Sequence, residues 1–257
     1  GQWSELKQLT DSTATENDYF GVSVSISGDY AVVGERNDDD GATNAGSVFI
    51  YKKDQGGADN WGFLKKIYAS DRQASDYFGY SVSISGDNIV VGAYGEDYAG
   101  QSNAGAAYVF NKDKDGADNW GQVKKIAAND YAVSDYFGYS VAIDGDWIVV
   151  GAYSNDITYT NTGAIYFYKK DQGGTNNWDY VTRKYQSGRA EYDYFGVSVS
   201  ISGDYAVAGA YQDDDSASNS GSAFIFKRTG ETTWSELKKL TASAPGASDY
   251  FGRKVAI

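Results

Sequence analysis

The 257 residues are enough for one large domain with a substantial core. The chain has no histidine and no cysteine, which excludes a Ser-His-Asp triad, a cysteine nucleophile, a disulfide framework and an ordinary zinc site. A net charge of -13 argues against a nucleic-acid partner, and no apolar run approaches the ~20 residues of a membrane span.

The first stretch, Trp3–Leu9, has the mixed polarity of an outer, half-solvated strand. Asp18-Tyr19-Phe20-Gly21 follows, and the same tetrapeptide returns at Asp76–Gly79, Asp135–Gly138, Asp193–Gly196 and Asp249–Gly252. The five phenylalanines are 58, 59, 58 and 56 residues apart, and Trp3, Trp61, Trp120, Trp178 and Trp234 keep the same step. Self-similarity at one period across the whole chain means one repeat domain over 1–257. Its units run 18–75, 76–134, 135–192 and 193–248, flanked by 1–17 and 249–257.

Within the unit at 76–134, Phe78, Tyr80, Val82 and Ile84 alternate with Gly79, Ser81, Ser83 and Ser85, the period of a strand with one bulky and one small face. Ser85-Gly86-Asp87 makes a tight turn into Ile89–Ala93, an apolar run suited to a strand buried on both sides. A polar loop leads to Ala106–Phe110, and a Gly-rich loop leads to an outer strand at Trp120–Ile126. The fold class is therefore all-β: a beta-propeller of four-stranded antiparallel blades, with the Gly/Ser-faced strand innermost. Four complete blades and two flanking strands are expected, the last being a first strand at Tyr250–Ile257. Open ends of this kind favour homo-oligomer or filament formation. The recurring tryptophans are expected to cover the outer strands, and the lysine pairs Lys65-Lys66, Lys124-Lys125 and Lys238-Lys239 to blunt the outer edges.

Phe78-Gly79, then Val90–Ala93, then Asn103–Gly105 before an aromatic strand, resembles the FG-GAP repeat, and the pattern recurs in all four units. The resemblance implies the propeller of integrin alpha subunits and of bacterial surface and secreted proteins, hence an extracellular or cell-surface location. Seven blades at this period need about 400 residues, so a segment of a longer propeller is expected. One departure matters. Calcium-binding FG-GAP repeats carry an Asp-x-Asp-x-Asp-Gly loop between their first two strands. Here that link is only Ser27-Gly28-Asp29, Ser85-Gly86-Asp87, Asp144-Gly145-Asp146 and Ser202-Gly203-Asp204, too short to wrap a cation.

Another acidic set offers itself. Asp39, Asp97, Asp156 and Asp214 lie five residues beyond the Val-x-Gly glycine, in the loop between second and third strands. This loop emerges at the same end as the connection carrying Asp18, Asp76, Asp135, Asp193 and Asp249. Paired carboxylates there could hold calcium; the alternative is that they are solvated turn residues. Tyr94, Tyr153 and Tyr211 follow Gly-Ala (Tyr77, Tyr136 and Tyr194 precede Phe-Gly), and a flat ring beside a carboxylate suits sugar or protein recognition.

Every blade repeats the same acids, and no blade stands out as gaining a reactive group. An active site needs unlike groups. The pattern therefore points to a non-catalytic binding, adhesion or assembly module, not an enzyme, recognising a protein or glycan ligand through the acidic tyrosine-bearing loop face. A lectin with repeated sites is the first alternative, and a carboxylate-dependent hydrolase the second.

Overall fold

The computed structural model describes residues 4–156 and 159–257. Four sheets follow one another along the chain, each a four-stranded antiparallel meander. Blade 1 comprises β1 (Phe20–Ser27), β2 (Tyr30–Glu35), β3 (Ser47–Lys52) and β4 (Gly62–Ile67). Blade 2 comprises β5 (Ser81–Ser85), β6 (Asn88–Ala93), β7 (Ala106–Asn111) and β8 (Gly121–Ile126). Blade 3 comprises β9 (Phe137–Asp144), β10 (Trp147–Ala152), β11 (Ala164–Lys170) and β12 (Trp178–Lys184). Blade 4 comprises β13 (Phe195–Ser202), β14 (Tyr205–Ala210), β15 (Ser222–Arg228) and β16 (Trp234–Leu240). The Gly-Asp turns between first and second strands place Gly28, Gly86, Gly145 and Gly203 at φ 53–56°, where glycine carries no Cβ penalty.

The recurring signature residues form the seams between blades. Phe78 N donates to Ala45 O at 2.9 Å and Phe137 N to Ala104 O at 2.9 Å, so the Asn-x-Gly segment of one blade pairs with the Tyr-Phe-Gly segment of the next. The phenylalanines Phe78, Phe137 and Phe195 are fully buried there. A Cβ on Gly92 would run into the carbonyl oxygen of Gly138, and one on Gly34 into that of Gly79. The glycine of each second strand is thus demanded by close approach of the next blade's backbone. The small serines complete the seam: Ser25 and Ser83 accept the Ile84 and Ile143 amides, each at 3.2 Å.

Three large apolar clusters fill the spaces between blades, and each includes one of the recurring tryptophans Trp120, Trp178 and Trp234, the third also holding Trp147. The recurring tryptophans are 0–1% exposed. They do not cover the outer strands, as the sequence pattern suggested; they are wedged against the preceding sheet, Trp120 edge-on to Tyr30 at 5.2 Å and Trp234 stacked on Phe167 at 4.4 Å. Burying a side chain of this size removes roughly 150–250 Å² from water, on the order of 5 kcal/mol before entropy is counted.

The two flanking segments are less regular than expected. Residues 4–11 form no strand, and Trp3 lies outside the described residues. Leu9 nevertheless packs on the open face of blade 1 against Ala31, Val33, Phe49 and Tyr51, where an outer strand of a preceding blade would lie. At the other end Phe251 makes one bridge to Gly221, while Val255 and Ile257 donate to Ser198 and Ser200. With no neighbouring strand of their own blade, neither segment completes a ladder. Val24 and Ile26 of β1 are 68% and 65% exposed, whereas their counterparts Val82 and Ile84 are 8% and 5% exposed.

The lysine pairs of the outer strands are not simple edge charges. Lys65 and Lys124 reach the next blade, at Asn119 and at Asn177 with Asp179. Lys66, Lys125 and Lys239 turn inward onto acids of their own blade's loops.

Candidate functional site

One end of the molecule carries an arc of half-buried tyrosines. In each of blades 2 to 4 the tyrosine before Phe-Gly stacks on the tyrosine after Gly-Ala: Tyr77 on Tyr94 (5.1 Å), Tyr136 on Tyr153 (5.5 Å) and Tyr194 on Tyr211 (5.5 Å). The stacks touch across blades through Tyr94–Tyr136 and Tyr153–Tyr194. Tyr80 and Tyr139, at the start of the inner strands, lie 4.7 Å apart and join the arc from the axial side. The tyrosines before Phe-Gly all have φ of 54–58°, a left-handed backbone that a bulky residue rarely adopts. At Tyr77, Tyr136, Tyr194 and Tyr250 the backbone amide is held by the loop asparagine carbonyl of the preceding blade.

Beneath the arc a pocket of about 240 Å³ follows the inner strands, lined by Ser23, Tyr80, Ser81, Tyr139, Ser140 and Lys254 among others. Burial pushes the Tyr94 and Tyr153 hydroxyls up to about 12. Burial, then a hydrogen bond with Tyr139, pushes Tyr80 further still. At neutral pH these phenols are protonated. They offer flat apolar faces and hydrogen-bond donors rather than bases.

The arc changes chemistry in blade 1. Where blades 2 to 4 have tyrosine after Gly-Ala, blade 1 has Arg36. Its guanidinium lies 4.7 Å from the Tyr19 ring centre and 5.7 Å from that of Tyr80, so a cation closes the tyrosine series at one end. Arg36 Nε is buried and has no acceptor among the described residues. The preceding residue also departs: Glu35 replaces Ala93, Ala152 and Ala210. Sequence reading missed both, although aligning the four Val-x-Gly segments exposes them; attention to the acids that recur hid the one that does not.

The two aspartate sets come to the same end of the blades, but each has its own task. Asp39, Asp97, Asp156 and Asp214 are exposed, and each accepts the amide of the loop asparagine: Asn44 (2.7 Å), Asn103 (2.9 Å), Asn161 (2.6 Å) and Asn219 (2.5 Å). Asp18, Asp76, Asp135 and Asp193 are buried, and each accepts an amide three residues earlier, from Thr15, Gln73, Ala132 and Ala190. No hydrogen bond joins the two sets among the described residues. The buried set instead meets the residue one position earlier in the loop, as where Asn155 donates to Asp135 at 3.2 Å. Burial raises Asp76 to about 7, and Asp135 and Asp193 to about 6.

An FG-GAP repeat model matches residues 3–51, 61–110, 120–168 and 181–226, and the chain belongs to this family. No curated protein matches it at a significant level. Among solved structures it is similar to the Pseudomonas aeruginosa periplasmic gluconolactonase PpgL, with a TM-score of 0.61 and 13% identity. The match covers 95% of this chain and 61% of that one, so the chain spans less than two thirds of this relative's length. At such identity the likeness establishes a shared propeller fold. It also corrects the expectation of a non-catalytic adhesion or assembly module: a propeller superposing on this one is an enzyme. One ground for that expectation, that the blades repeat one pattern, does not hold at Glu35-Arg36, where blades 2 to 4 have Ala-Tyr. Among the described residues no helix is long and apolar enough to cross a membrane.

Proposed function

We propose that the chain is the tyrosine-bearing part of a hydrolase acting on a polyhydroxylated ring ester, a sugar-derived lactone being the simplest case. The observation that carries this is the arc of protonated phenols closed by Arg36, a cation with an unpaired Nε at the only blade where tyrosine is replaced. Stacked phenol faces suit the apolar faces of a sugar ring, and the hydroxyls suit its polar rim. A guanidinium beside the ring suits the carbonyl oxygen that becomes negative as water adds, and afterwards the carboxylate of the product. That the structural relative is a gluconolactonase supports the reaction class, and its periplasmic location supports export from the cytoplasm.

The test is hydrolysis of gluconolactone and related aldonolactones, followed by acid release above the spontaneous rate. Arg36→Tyr restores the residue of the other blades and should fold. It is expected to lower kcat/KM by about 10²-fold, the size seen when one oxyanion donor is removed. Lactone turnover that is absent, or untouched by Arg36→Tyr, contradicts the reading.

A further inference from the structure

Between blade 1 and the N-terminal segment, Asp11, Asp18 and Glu35 bring carboxylate oxygens within 4.8 Å of one another. Glu35 is fully buried, and its Oε1 has no hydrogen-bond partner among the described residues. Its Oε2 accepts from Ser47 Oγ at 3.3 Å, Lys66 Nζ lies 3.9 Å away, and the Asp38 carboxyl is within hydrogen-bond reach of the Glu35 side chain. Asp11 is occupied on one oxygen by the amide and hydroxyl of Thr13, and Asp18 receives the amide and hydroxyl of Thr15.

The repeat supplies an internal control. Aligned on the tryptophans, Asp11 corresponds to Ala69 in the next unit and Ala128 in the one after, and Glu35 to Ala93 and Ala152. Those alanines are buried in the apolar clusters between blades. The fourth blade has Gln186 and Ala210, and Gln186 bonds to Asp193. The fold is thus satisfied by two small apolar residues at this seam. Only blade 1 replaces both with acids, on either side of an aspartate that every blade has. Lys66 does not balance them, because its ammonium is already engaged by Asp38 and Asp40. Lys66 thus faces Asp38, Asp40 and, more distantly, Glu35, while Asp11 and Asp18 add their carboxylates on the other side of Glu35.

We propose that Asp11, Asp18 and Glu35 bind one hard divalent cation, calcium being the first candidate, which ties the N-terminal segment to the second strand of blade 1. All three donors are carboxylate oxygens, the type that calcium and magnesium prefer over softer metals. The ion supplies the partner that the Glu35 Oε1 lacks. This site is distinct from the loop aspartates Asp39, Asp97, Asp156 and Asp214, and it does not rest on the hydrolase reading.

The experiment is thermal unfolding of the whole chain after EDTA treatment, with calcium alone and with magnesium alone, together with calorimetric titration of each ion. The expected result is one ion per chain and a Tm rise of roughly 5–10 °C at a hundredfold excess over Kd. Glu35→Ala and Asp11→Ala introduce the residues of the sister blades; each should fold and lose both the heat and the shift. No shift and no heat in the parent chain overturns the proposal. So does a shift that survives both substitutions, which would place the ion on the surface aspartates. Should one variant fail to fold, the other and the parent titration still decide.

Discussion

Blades 2 and 3 are nearly interchangeable: alanine at the seam, tyrosine at the rim, a fully buried tryptophan at the wall. Blade 1 has the same backbone, the same Phe-Gly and the same buried aspartate, but acids at the seam and Arg36 at the rim. Its wall is also incomplete, with Val24 and Ile26 facing outward. A repeat makes such a difference readable. What all blades share is what the fold requires, and what one blade alone has must be explained by something other than the fold.

The comparison can be strained first at the walls. Trp178 is 0% exposed between two complete sheets, while Trp61 is only partly buried on the open face of blade 1. Trp178→Ala is expected to cost about 3–5 kcal/mol in denaturant unfolding, and Trp61→Ala about 1–2 kcal/mol. Equal costs would mean that blade 1 is covered in solution more completely than its sheet alone provides.

A smaller effect separates acids that serve the fold from those that do not. Asp135 is 1% exposed, and burial raises its carboxyl from 3.8 to about 6 against the opposing pull of the Ala132 amide and Asn155. The folded state therefore holds this proton more tightly than the unfolded chain does. That contribution is complete below about pH 3.8 and is lost as pH rises through about 6, an amount on the order of 3 kcal/mol. Asp135→Asn should flatten this fall in a plot of unfolding free energy against pH. An unchanged slope would assign the pH dependence to other groups.

The fold was legible in the sequence because it depends on periodicity. Alternation in Phe78–Ser85, the two-residue Gly-Asp turns and the fixed 58-residue step define strands, hairpins and blades without any long-range information. The site was legible only in part. Tyr94, Tyr153 and Tyr211 do converge, since strand direction alone sends them to one end. The partners of the acids were hidden, because whether Asp97 meets an amide of its own loop or another carboxylate depends on loop geometry. The tryptophans were misplaced for a related reason: a residue at the start of an outer strand can turn outward or into the seam, and only the neighbouring blade decides. Asp11 and Glu35 are 24 positions apart and meet only because the N-terminal segment folds back onto blade 1.

The most direct measurement is the Tm of the chain in which Asp11→Ala, Glu35→Ala and Arg36→Tyr make blade 1 match its sisters, compared with the parent in metal-free buffer. If these residues serve function at a cost to the fold, removing a buried carboxyl with one unpartnered oxygen should raise Tm by several degrees, at about 2–4 °C per kcal/mol. A fall in Tm of similar size would show that the departures in blade 1 hold the structure together, and would contradict the account.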